Sequence, residues 1–185
     1  CVLVVVPLLL GEATVLYTFY APMQASPVFY FGLTFFVVGS WIGGWAIFSQ
    51  YVSWRRAYGA ETSPLFSFMA VATMLVWQVA TLGVAAEVLL QLIPWSLGWT
   101  DTINVLLSRT LFWFFGHPLV YFWLMPAYVA WYLVMPKLIG GKVFSDNLAR
   151  LSFMLLIVFS VPVGLHHQLM EPGVSDGWKL FHVGL

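Results

Sequence analysis

The chain has 185 residues, of which 62% are hydrophobic and 8% charged, with a formal net charge of zero. Soluble domains carry about 25% charged residues, so little of this surface faces water, and the neutral balance gives no reason to expect nucleic acid as a partner. The mean hydropathy of +0.93 agrees. The lone cysteine, Cys1, forms no internal disulfide and leaves the redox compartment unread.

A membrane-crossing helix needs about 20 mostly apolar residues. Residues 1–10 read as the tail of an earlier span, with no initiator Met or basic stretch that would make them a signal peptide. Complete spans are expected at residues 28–52, 65–93, 104–135 and 151–170, and residues 179–185 read as the start of another. Both ends look cut, so the chain reads as an internal piece of one longer transmembrane domain, covering residues 1–185. Membrane strands would alternate apolar and polar over about 10 residues; these runs are apolar on every side, and the fold class is all-α. Turn chemistry marks the connections: Pro22 and Pro27, Pro94 and Gly98, Pro136 with Gly140 and Gly141, then Pro172 with Gly173.

Charge orients the bundle. The face reached at the end of the 28–52 span collects Arg55, Arg56, Lys137, Lys142 and Arg150, whereas the other holds Glu12, Asp101, Glu171 and Asp176 with Lys179 close by. Lys and Arg favour cytoplasmic loops, which makes the first face cytoplasmic, and Trp54, Trp95, Trp99 and Trp178 fall where interfacial anchors belong.

Polar groups inside a span are costly and face the bundle interior or a cavity. Those that stand out are His117 and Tyr121 in FFGHPLVYFW, His166 and His167 in PVGLHHQLM, and Glu87, Gln78, Tyr128 and Tyr132. His117 and Tyr121 are four apart and share a helix face. His166 and His167 would normally point about 100° apart. A kink at Pro162 and the two ligating nitrogens of imidazole offer ways for both rings to reach one point. Three neutral imidazoles on adjacent helices suit copper or zinc, and iron or nickel less clearly. The alternative is a set of helix-packing histidines hydrogen-bonded across the bundle.

The segments Gly116-His117-Pro118-Leu119-Val120-Tyr121 and Val161-Pro162-Val163-Gly164-Leu165-His166-His167 resemble the copper site of the haem–copper oxygen reductases. The resemblance runs over essentially the whole chain, including EATVLYTFY and GGKVFSDNLARL, and is closest to the B-type branch. It implies a part of the twelve-helix-type subunit I fold, with His117, His166 and His167 ligating copper. Tyr121 would be covalently linked to His117 and would give an electron and a proton during O–O cleavage. A high-spin and a low-spin haem are implied too, their ligands outside these residues. The function implied is reduction of O2 to water with electrons from cytochrome c, coupled to proton translocation. The implied partners are a subunit II bearing the dicopper electron-entry site, cytochrome c, O2 and the lipid bilayer of a prokaryotic cytoplasmic membrane. The chain alone would be inactive.

Departures from other branches carry information. Leu119 stands where the best-known A-type enzymes have a Glu that ends one proton path, and Tyr121 stands where nitric oxide reductases and C-type oxidases lack a tyrosine. Tyr121, Tyr128 and Tyr132 share one helix face over about 16 Å. The tyrosines at these positions in B-type enzymes belong to the single proton channel; interhelical filling is the alternative. An apolar passage for oxygen is expected beside Tyr17 and Trp113. Glu87 and Arg109, at similar depths, are expected to pair, and His182 reads as an ordinary residue near a span start. A transporter or channel passing metal ions or protons is the rival from another class. It would need polar groups from face to face, and the 28–52 span is nearly devoid of them.

Overall fold

The structure is a computed structural model that describes residues 1–184. The described residues form an all-α bundle in which three helices, or four spans if the bent pair is one, are long and apolar enough to cross a membrane. In chain order come α1 (Val2–Leu9), α2 (Pro27–Tyr58), α3 (Leu65–Glu87), a π turn (Val88–Leu92), α4 (Ile93–Ser96), α5 (Val105–Leu138), α6 (Asp146–Ser160), a 3-10 turn (Pro162–Gln168) and α7 (Asp176–Val183). Leu185, the last residue of the partial span expected at 179–185, lies outside the described residues.

A helix or bent helix pair stands at each of the four complete spans expected, with shifted ends. The first continues to Tyr58, six residues past the expected end, carrying Arg55 and Arg56 in its last turn before Gly59 closes it at φ +53°. Cations there complement the exposed carbonyls of a helix C-terminus. The second runs on from α3 to Ser96 as one span. The third starts where Asn104 accepts a hydrogen bond from the Leu107 amide at 3.0 Å, and runs through Pro118, Pro126 and Pro136 to Leu138. Proline is tolerated inside a membrane helix when neighbours satisfy the freed carbonyls.

The fourth span differs most from expectation. It begins at Asp146 rather than 151, because Ser145 accepts from the Leu148 amide at 3.3 Å and Arg150 bonds Asp146 at 2.5 Å one turn on. It then bends by 46° between α6 and the 3-10 turn, at the position of Pro162.

Two apolar clusters hold the bundle. One joins Phe29, Tyr30 and Val37 of α2 to Trp77, Ala80 and Val84 of α3 and to Phe112 and Phe115 of α5. The other joins Met69, Ala72 and Val76 of α3 to Met125 and Val129 of α5 and to Ala149 and Phe153 of α6. Both clusters run through α3, which is the central helix. Between helices, Trp41 Nε1 donates to Thr81 Oγ1 at 2.7 Å and Trp77 Nε1 to Ser40 Oγ at 2.8 Å.

The 3-10 turn is pressed against α5. A Cβ added at Gly164 would run into the backbone carbonyl of Trp113, with no flexible side chain to give way. Gly164→Ala is therefore expected to destabilise the full-length protein by about 1–3 kcal/mol, as overpacking does. A thermal unfolding curve in detergent, set against wild type, measures it.

Candidate metal centre

His117 stands in the middle of α5, and His166 and His167 in the 3-10 turn that the bend brings alongside. In a 3-10 turn successive side chains step by about 120°, yet the two rings stack on each other with centroids 4.3 Å apart and planes at 29°. Each also approaches His117, with centroid separations of 4.3 Å for His166 and 5.3 Å for His167. One ligand nitrogen from each of the three lies within 4.8 Å of the others. Metal–imidazole bonds of about 2.0–2.1 Å put two ligand atoms at most about 4 Å apart, so the cluster is within an ångström or so of ligating distances.

The two nitrogens of His117 have different surroundings. Its Nδ1 faces His167 Nε2 at 3.1 Å, while its Nε2 is buried with no hydrogen-bond partner among the described residues. Two neutral imidazole nitrogens can share one proton across such a contact, and the remaining lone pairs are then free for a cation. Nitrogen-only donors of this kind fit copper or zinc. The Trp113 indole lies flat on His167, centroids 3.7 Å apart and planes at 8°, and holds that ring in place.

Tyr121, one helical turn along α5, sits edge-on to His117 with centroids 4.9 Å apart. Tyr121, Tyr128 and Tyr132 all line one cavity of about 510 Å³, together with Ser152 and Ser160 of α6. A second cavity, of about 450 Å³, is lined by Tyr17 and Trp113 with Phe36, Val37 and Val120, and His117 and His167 also face into it. Tyr17 is at its exposed rim, 86% accessible.

Reasoning from the sequence missed several residues of this neighbourhood. Gly164, Ser152 and Ser160 are small groups with no signal of their own outside the packing. The expected Glu87–Arg109 pair is not formed. Arg109 instead bonds Glu171, which lies beyond the 3-10 turn, and its guanidinium sits 5.1 Å from the Tyr20 ring centroid. Glu87 accepts from Ser108 Oγ at 2.7 Å and is fully buried. Adjacent positions on α5 point about 100° apart: Ser108 takes the face toward α3, so Arg109 is turned to the loops. Gln78 donates weakly to the Trp41 carbonyl at 3.4 Å. His182 is buried, with a backbone carbonyl within hydrogen-bond distance of each ring nitrogen, more than an ordinary residue at a span start.

The whole chain, residues 1–185, matches the family of cytochrome c and quinol oxidase polypeptide I. It is 45% identical over 181 residues to cytochrome c oxidase subunit 1 of Thermus thermophilus, a match covering 98% of this chain and 32% of that protein. Over 70 residues it is 37% identical to quinol oxidase subunit 1 of Sulfolobus acidocaldarius, covering 38% of this chain and 14% of that one. A heme-copper terminal oxidase dimer solved by cryo-EM superposes with a TM-score of 0.93 at 46% identity, over 98% of this chain and 32% of that chain. The chain thus spans about a third of the length of such relatives. It belongs to the cytochrome c and quinol oxidase polypeptide I family, the catalytic subunit I of haem–copper oxidases.

Proposed function

We propose that the full-length protein is a terminal respiratory oxidase that reduces O2 to water at a haem–copper centre, and that His117, His166 and His167 hold its copper. The observation that carries the reading is the convergence of three imidazoles, on two elements, whose hydrogen-bonding nitrogens face one another. Copper held there beside a haem would supply redox-active metal where oxygen binds. The haem ligands lie outside these 185 residues, as does the subunit II carrying the dicopper site. Cytochrome c is the favoured electron donor, because the relative of that name is similar over 98% of this chain and the quinol oxidase over 38%. The membrane is the prokaryotic cytoplasmic membrane, with the basic ends of α2 and α5 on the cytoplasmic side.

The chain's own groups divide the work. Trp113 keeps the His167 ring in place. His117 turns Nδ1 to the cluster and leaves Nε2 for a bond to Tyr121. Reducing one O2 to two waters consumes four electrons and four protons. A phenol at this distance can give one electron from its ring and one proton from its Oη, and is restored later by an electron and a proton from outside. Tyr128 and Tyr132 extend the hydroxyl-bearing wall from Tyr121 toward the cytoplasmic end of α5, a route along which water and phenols pass protons. The apolar cavity beside Trp113 favours an uncharged gas over water and ions, which suits it to bringing oxygen to the cluster.

Three measurements test this. Mass spectrometry of peptides from the metal-loaded, oxygen-exposed full-length protein is expected to show His117 and Tyr121 crosslinked, with the loss of a pair of hydrogens. An unmodified peptide would remove Tyr121 from its role and shift the reading toward nitric oxide chemistry or transport. Tyr132→Phe is expected to slow oxygen turnover by about 10²-fold, the low end of what a positioned proton-transfer group contributes, with copper content unchanged; wild-type turnover would return Tyr132 to a packing role. Trp113→Ala, followed by flash-initiated oxygen binding, is expected to change the binding rate. An unchanged rate would dispose of the oxygen passage.

A further inference from the structure

We propose that His182 is a positioning residue for the histidine pair: its ring fastens α7 to the head of the 3-10 turn and so sets where His166 and His167 stand relative to His117. The inference rests on the copper reading above. His182 Nε2 lies 2.7 Å from the carbonyl oxygen of Pro162, the first residue of the turn, and Nδ1 lies 2.8 Å from the carbonyl oxygen of Trp178, one helical turn back in α7. Carbonyl oxygens accept and never donate, and a neutral imidazole carries one N–H, so the tautomer protonated at Nε2 donates to Pro162. The ring is 7% exposed, whereas Leu180 and Val183 of the same helix are 75% and 71% exposed. Trp178 and Phe181 brace it, with ring centroids at 5.3 and 5.1 Å.

The location gives these bonds their leverage. The span bends by 46° between Ser160 and Pro162. Beyond such a bend, the direction of the following segment is fixed only by what grips it. Gly164 grips it in the middle, against α5, and His182 grips it at the head. His166 lies four residues past Pro162, a lever of about 8 Å at the 3-10 rise of about 2.0 Å per residue. A change of about 10° in the bend would carry His166 through about 1.4 Å on that lever. Functional side chains need placement to within about 0.5 Å, so an unfastened turn would lose the register of its ligands.

The test uses full-length, metal-loaded protein and measures retention of copper against a competing chelator, with the haem spectrum as the check on assembly. His166→Ala serves as the reference and is expected to lose its copper. His182→Ala is expected to keep its haem spectrum and bind copper about tenfold more weakly, the low end of the effect of groups that orient metal ligands. His182→Gln, which can still offer an N–H to Pro162, is expected to recover most of that loss. Wild-type copper retention in His182→Ala, alongside loss in His166→Ala, overturns the inference and leaves the copper reading standing. Retention in His166→Ala overturns the copper reading itself, and the inference with it. If the alanine variant does not assemble, His182→Asn, a donor too short to reach Pro162, takes its place with the same two outcomes.

Discussion

The contact between Gly164 and the backbone of α5 at Trp113 is the constraint on which the rest of the site depends. The absence of a single Cβ allows a helical turn to lie directly on the carbonyl of a neighbouring helix. From there the two residues that follow Leu165 are already beside His117, one turn along α5 from Trp113. The indole can then lie flat on His167 because its own backbone is the surface against which the turn rests. Close approach of backbones through small residues is a common means of joining membrane helices, where lipid supplies no hydrophobic drive toward association. Here the same device sets the geometry of three imidazoles.

The bundle also contains its own comparison between a packing histidine and a ligating one. Several of its interior polar groups find oxygen partners: Trp41 with Thr81, Trp77 with Ser40, Glu87 with Ser108, Arg109 with Glu171. His182 follows this pattern, with a carbonyl at each ring nitrogen. His117 does not. Its one contact at hydrogen-bond length is with another imidazole, and its second nitrogen is buried without a partner. An unpaired polar atom in an apolar interior costs about 1–3 kcal/mol, and His117 Nε2 bears that cost one helical turn from Tyr121. In the proposed reading the two nitrogens divide the work, with Nδ1 turned to the other imidazoles and Nε2 free for the bond to Tyr121.

Much of this could be read from the sequence, for reasons that differ by residue. The spans were legible because an apolar run long enough to cross lipid has few other uses, and the bend was legible because Pro162 cannot continue the hydrogen-bond ladder. The start of α6 was legible in principle: Ser145 and Asp146 are a helix-start signal, hidden here by counting apolar residues alone. The partner of Arg109 was not, because depth along a span does not tell which way a side chain turns, and one residue's rotation gave Ser108 the place beside Glu87. Gly164 stood in the motif yet carried no sign that its missing side chain mattered. Only the path of the neighbouring helix supplies that.

The two cavities, one at His117 and the other at Tyr121, make physically opposite demands. A passage for oxygen has to be apolar, since a gas gains nothing from hydrogen bonds and water there would compete for the site. A proton route needs hydroxyls at short intervals, because no proton crosses a hydrocarbon gap. The wall on the Trp113 side is aromatic and aliphatic. The wall on the other side presents the phenols of Tyr121, Tyr128 and Tyr132 with the hydroxyls of Ser152 and Ser160. His117 lines the first and Tyr121 the second, and one turn of α5 separates them. In the proposed reaction, oxygen and protons then reach a common point without sharing a path. Leu119, lying between the two residues and facing the apolar cavity, keeps a carboxyl group out of the side where it would bring water.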